Sequence, residues 1–138
     1  MVLLMLPADS IKSLMNKLLI QETFDEYELR GCVIQSFARF DIESGCKWLR
    51  LRPYVYNIIK GNERPRFLKI IFGCPNDVLE KQFGEASALF MNIILDKDAG
   101  HITTGISTKV WSPDKSTEAS WDNYIINFLQ QNQIYFEQ

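Results

Sequence analysis

His101, Thr103, Ser107 and Lys109 share one parity of an alternating run. Residues two apart on a strand stand about 7 Å apart on one face. A serine, a lysine and a histidine on such a face are the components of nucleophilic chemistry. The pattern has neither the Gly-x-Ser-x-Gly elbow nor the Ser-x-x-Lys spacing. Gly105 leaves a gap in the row, and His101 sits at the mouth of a hairpin, where exposure is usual. A solvated sheet face is therefore the plainer expectation, with an enzyme of unknown reaction as its alternative.

A second chemistry lies in residues 47–69. Lys47, Arg50, Arg52, Lys60, Arg64, Arg66 and Lys69 stand there against Glu63 alone, a local charge of +6. The rest of the chain carries -8. Trp48, Tyr54, Tyr56 and Phe67 interleave with the basic residues. Arginine forks suit carboxylate or phosphate, and aromatic rings offer stacking surfaces. The competing explanation is the wet faces of a helix, a loop and a strand, with the aromatics in the core. A pI near 5.4 is far from the basic signature of nucleic-acid binders. The acidic remainder also offers the segment partners within the chain or across a dimer.

Two smaller clusters have ordinary explanations. Asp96, Asp98 and His101 alternate around a loop, but a calcium loop needs more oxygen ligands at fixed spacing. Asp, Lys and Gly are also simply good loop residues. Asp114-Lys115-Ser116-x-Glu118-x-x-Trp121-Asp122 marks a helix start whose acidic side chains occupy the positive end of the dipole. Capping accounts for it better than anion binding. The sequence has no Gly-x-Gly-x-x-Gly and no Gly-Lys-Ser or Gly-Lys-Thr, so no nucleotide and no other cofactor is expected. Cys32, Cys46 and Cys74 are odd in number and far apart, which argues against a disulfide framework and a cysteine zinc site. No metal is expected.

These residues must be positioned by a chain of 138 residues that is 46% hydrophobic, 23% charged and carries a net charge of -2. Such a composition and length predict one domain, 1–138, able to fold without disulfides or metal. No apolar run approaches the roughly 18 residues of a membrane helix. Met1 to Leu6 is too short for a signal-peptide core and reads as a strand, so a cytoplasmic protein without membrane contact is expected.

The periodicity supplies the elements. Ile11, Leu14, Met15, Leu18 and Leu19 fit one helical face, with Asp9 or Ser10 as cap. Residues 27–42 read as one strand-like run, with Gly31 at a bulge and Glu43-Ser44-Gly45 as its closing turn. Residues 47–60 read as a helix kinked or restarted at Pro53, with Gly61 past its end. Residues 67–72 form a strand, 75–82 a short helix and 88–95 a central strand. A five-residue loop, 96–100, leads to a return strand, 102–110. Ser116 caps a last helix whose face carries Trp121, Tyr124, Ile125, Phe128 and Leu129. The tail 134–136 is apolar enough to dock as an edge strand. Mixed elements with a clear antiparallel hairpin predict an α+β fold, mainly an antiparallel sheet with helices packed on one face.

Several stretches together carry a resemblance. They are Met15-Asn16-Lys17-Leu18-Leu19, Leu51-Arg52-Pro53-Tyr54, Ile58-Ile59-Lys60-Gly61, Thr103-Thr104-Gly105-x-Ser107 and the 114–122 stretch. With them the chain resembles a bacterial family of small intracellular proteins catalogued only as a domain of unknown function. The resemblance implies no activity and transfers no functional residue.

The expectation is thus a non-catalytic protein-interaction or self-assembly module. Its contacts are sought at Arg50, Arg52, Tyr54, Lys60, Arg64 and Arg66. The alternatives are nucleic-acid or phosphate-ligand binding through the same segment, and an enzyme using residues 101–109.

Overall fold

The structure is a computed structural model, and it describes residues 1–36, 38–60, 65–84, 86–108 and 116–138. Six strands and four helices follow one another as β1 (Leu3–Leu6), α1 (Ala8–Leu19), β2 (Glu28–Gln35), β3 (Arg39–Glu43), α2 (Trp48–Lys60), β4 (Phe67–Gly73), α3 (Asn76–Gln82), β5 (Ala86–Asp96), β6 (Ala99–Thr108) and α4 (Ser116–Gln131). The strands form one sheet in the order β1-β6-β5-β4-β2-β3, with every neighbouring pair antiparallel. This is the expected α+β architecture.

Period-2 alternation sets the two faces of the sheet. Leu4, Leu29, Cys32, Ile34, Leu68, Ile70, Phe72, Leu89, Met91, Ile93 and Ile102 point inward and are buried. α1, α2 and α4 pack on that inner face through buried residues such as Leu14, Trp48 and Trp121, while α3, which has no buried residue, links β4 to β5. Phe72 at its centre stacks on Phe24 at 5.5 Å between ring centroids and meets Trp48 edge-on at 5.3 Å. Trp121 of α4 donates its Nε1 proton to the Phe90 carbonyl at 2.9 Å, fixing that helix to β5. Among the described residues no helix is long and apolar enough to cross a membrane.

Several local expectations change. The run expected as one strand is a hairpin: β2 ends at Gln35, which pairs with Arg39 at the start of β3. Residues 34 and 40 also pair across this fold, so one parity faces inward on both strands and masks the reversal. The bulge is where Gly31 suggested, between Leu29 and Gly31. The β5–β6 loop is tighter than five residues. Asp96 pairs with Ala99, leaving a two-residue turn with Lys97 at φ 57°. The first helix is preceded by Pro7 as its cap, with no side-chain cap hydrogen bond. Ser10 instead donates its hydroxyl to the Pro7 carbonyl at 2.9 Å. The tail meets β1 by one bridge, between Met5 and Glu137, and Ile134 is buried. The expected end of the return strand at 109–110 and the approach to the last helix lie outside the described residues.

Pro53 neither breaks nor restarts its helix; α2 runs through it from Trp48 to Lys60. Proline lacks the proton that would bond the Leu49 carbonyl. Leu49 and Pro53 both lie on the exposed side of the helix.

Candidate functional site

The polar strand face is on the outer side of the sheet, on the parity opposite to buried Ile102 and Thr104. Register aligns Met5, His101, Ile94, Lys69, Val33 and Asp41 in one row across six strands. The next row holds Thr103, and Asn92 donates to its Oγ1 at 3.2 Å. Ser87 donates its hydroxyl proton toward the Ser107 carbonyl at 2.8 Å and Ser107 Oγ at 3.1 Å. His101 and Ser107 are six residues apart on one extended strand, which is about 20 Å. A nucleophile and its base must lie within hydrogen-bond reach, so these two do not form one centre. Lys109 lies outside the described residues. Asp96 and Asp98 are exposed around the tight turn. Among the described residues no three His, Cys, Asp or Glu side chains converge to hold a metal ion.

The 114–122 stretch divides in the same way. Trp121 is a core residue, and Asp122 accepts a hydrogen bond from the Thr104 hydroxyl of β6. Asp114 and Lys115 are outside the described residues.

The basic segment is built on α2. At about 100° per residue, Trp48, Leu51, Val55, Ile58 and Ile59 fall on the face turned to the core. The opposite arc, about 140° wide, holds Leu49, Lys60, Pro53, Asn57, Arg50 and Tyr54, all exposed. Tyr54 is 67% exposed and Leu49 50%. Among the described residues no carboxylate pairs with Arg50, Lys60 or Arg66. The Lys60 ammonium lies 5.8 Å from the centroid of the Tyr56 ring.

Arg52 points elsewhere. Its Nε donates to Asp25 Oδ1 at 2.9 Å, its Nη2 to Asp25 Oδ2 at 3.1 Å, and its Nη1 to the Ile20 carbonyl at 3.1 Å. Asp25 is 5% exposed. The fork thus holds the 20–27 loop against α2, helped by the Leu49 N–H donating to the Asp25 carbonyl at 3.2 Å. Lys47 is similarly engaged, 2.7 Å from Glu26 Oε2. That carboxylate raises the lysine's pKa above its ordinary value. Lys69 belongs to the outer sheet face, and Arg64 lies outside the described residues.

The structure therefore gathers Arg50, Tyr54 and Lys60 on one surface, sets Arg66 beyond the helix end, and assigns Arg52 to internal support. Sequence reasoning did not find the neighbour of this surface. The 20–27 loop brings exposed Ile20, Glu22 and Glu26 alongside the first turns of α2. The signal available was Leu49, an apolar residue off the apolar stripe of its helix.

A family described as a family of unknown function (DUF5721) matches residues 43–137. No curated protein and no solved structure matches.

Proposed function

The chain belongs to the DUF5721 family, whose function is unknown, and we propose that it acts without catalysis, as a self-association module paired through the exposed arc of α2. The observation that carries this reading is the composition of that arc. A helix face meant only for water is polar. This one sets Leu49, Pro53 and Tyr54 among Arg50 and Lys60. Tyrosine and arginine are the residue types that dominate interface energetics.

Charge favours a second copy as the occupant. The N-terminal end of α2 is flanked by exposed Glu22, with Glu26 already paired to Lys47, and its C-terminal end carries Lys60. A two-fold axis crossing the middle of α2 runs the partner's α2 antiparallel to it. The partner's Lys60 then faces Glu22, while Pro53 and Tyr54 close on their own copies and Leu49 lies against the partner's C-terminal turn. A 13-residue helix is about 20 Å long. The contact is at the small end of specific interfaces, so association in the tens-of-micromolar range is expected. Three unpaired cysteines, two of them buried, suit a reducing compartment, and the cytoplasm goes with this reading.

Sedimentation of the full chain at low and high salt tests it. We expect a monomer–dimer equilibrium that weakens with salt as exposed charges are screened. Lys60→Glu weakens it about tenfold, and adding Glu22→Lys restores it. A protein monomeric at about 0.5 mM in both salts overturns the reading. So does a Lys60→Glu chain that pairs unchanged.

A further inference from the structure

On the side of α2 away from the exposed arc, the two long antiparallel helices α1 and α2 part. They are joined at one end, where Trp48 Nε1 donates to the Leu18 carbonyl at 2.7 Å and Arg52 reaches the Ile20 carbonyl. At the other end, Ala8 of α1 and Ile59 of α2 stand on opposite walls of a cleft of about 560 Å³. Ala8, Ile11, Lys12 and Met15 recur at i, i+3, i+4 and i+7, so one face of α1 forms a whole wall. Leu68 of β4 and Leu95 of β5 supply the floor. Among the described residues the walls are apolar apart from Lys12 on α1 and Lys97 and Asp98 at the β5–β6 turn.

This combination has the form of a ligand site. Small-molecule clefts run from roughly 300 to 1,000 Å³, with mostly apolar linings and a few polar groups that set orientation. Among the described lining residues, Lys12 and Lys97 against Asp98 leave one positive charge, and Lys12 is exposed on the helix wall. We infer that the cleft between α1 and α2 binds a small amphipathic carboxylate, its apolar body on Ile11, Met15, Leu68 and Leu95 and its anionic end at Lys12. A bare anion gains nothing from the apolar walls, and a cation meets the wrong charge at the mouth. Burial of the apolar body supplies the affinity, and Lys12 supplies the choice of head group.

The chain carries its own reporters for a test. It has four methionines, Met1, Met5, Met15 and Met91. Met15 lines the cleft, Met91 is fully buried in the core, and Met1 and Met5 are exposed. With methyl-labelled methionine, NMR titration by decanoate, kept below micelle formation, should shift Met15 saturably and leave Met91 in place. Decylamine and decanol, of the same chain length, should bind more weakly than decanoate. Lys12→Glu should weaken decanoate about fivefold and reverse the preference toward decylamine. Ala8→Phe places a ring in the mouth from an exposed position and should abolish the Met15 shift, with an unmoved Met91 signal showing that the variant is folded. A static Met15, or Met15 moving without saturation together with Met1 and Met5, overturns the site. Equal binding of decanol and decanoate overturns the role of Lys12, as does a Lys12→Glu chain that binds decanoate unchanged.

Discussion

Removing Arg52 separates structural support from recognition more sharply than any other single change. The guanidinium makes three hydrogen bonds, two to a carboxylate that is 5% exposed and one to the Ile20 carbonyl. Arg52→Ala leaves Asp25 charged and without its partner. Breaking a buried pair costs about 3–5 kcal/mol. The Arg52 side chain keeps 17% of its surface, so water enters the vacated space, and about 2–3 kcal/mol is the expected loss. For a domain of this length each kcal/mol moves Tm by roughly 3–4 °C. Arg52→Ala should therefore melt about 6–12 °C below the parent chain, with a parallel drop in the urea midpoint. Asp25→Ala should cost less, because the arginine it frees can turn to water. The double variant should be less damaged than the sum of the two, with a coupling of at least about 1 kcal/mol. Self-association of folded Arg52→Ala should match the parent, since Arg52 is off the exposed arc. A loss below about 0.5 kcal/mol with additive single changes, within the range of ordinary surface substitutions, would refute the reasoning. So would a normally stable variant that no longer associates, which would make Arg52 a contact.

Other expectations concern the cysteines and glycines. Burial pushes the Cys32 and Cys74 thiols up to about 12, with Asp77 and Glu28 adding to the second. A thiol reagent at pH 8 should label half-buried Cys46 first and reach the other two on unfolding. Their unfolded counterparts ionise near 9.0, so the folded chain holds more protons above that pH. Stability is then full below pH 9 and falls toward pH 12, by roughly 1 kcal/mol per thiol at pH 10. A urea midpoint unchanged between pH 8 and 10 would contradict this. A Cβ at position 100 would lie 2.6 Å from Leu95 Cδ2 and 3.2 Å from the Ile94 carbonyl, in the packed hairpin. At position 73 it would meet the Arg30 side chain at 2.7 Å, an exposed side chain whose pair with Glu28 at 2.9 Å can give way. Gly100→Ala should cost about 1–3 kcal/mol in urea unfolding and Gly73→Ala under about 1. The reverse order would show that the hairpin yields more easily than an arginine.

What the sequence made legible follows from how local each signal is. The face carrying Ile11, Leu14, Leu18 and Leu19 is a single-period pattern, and those residues are buried. The stretch 88–95 is apolar on both parities and lies in a strand with neighbours on both sides. The β2–β3 hairpin was not legible because its register keeps residues 34 and 40 opposite each other. An alternating pattern passes through such a fold without a break. The cleft was equally hidden. Ala8, Ile11, Lys12 and Met15 read as part of an ordinary amphipathic helix. What makes them a wall is the parting of α1 from α2, a tertiary fact with no local signature. The exposed arc left one trace, Leu49 off the apolar stripe, whose meaning depends on the loop that packs beside it.

The charge segregation shows most clearly why a count along the chain is a poor guide to a surface. The +6 over residues 47–69 suggests a continuous basic patch. Its N-terminal part is instead stitched inward, through Lys47 to Glu26 and Arg52 to Asp25. Those carboxylates come from the 20–27 loop, so part of the opposite charge elsewhere in the chain answers it directly. The division falls between residues two apart in sequence. On a helix that spacing turns a side chain by about 200°, which sends Arg50 to solvent and Arg52 to the loop. A linear sum adds them as equals, although one holds the fold together and the other is free to meet a partner. Whether a basic segment recognises anything is decided by that rotation, and here it leaves Arg50, Tyr54 and Lys60 as the surface to be tested.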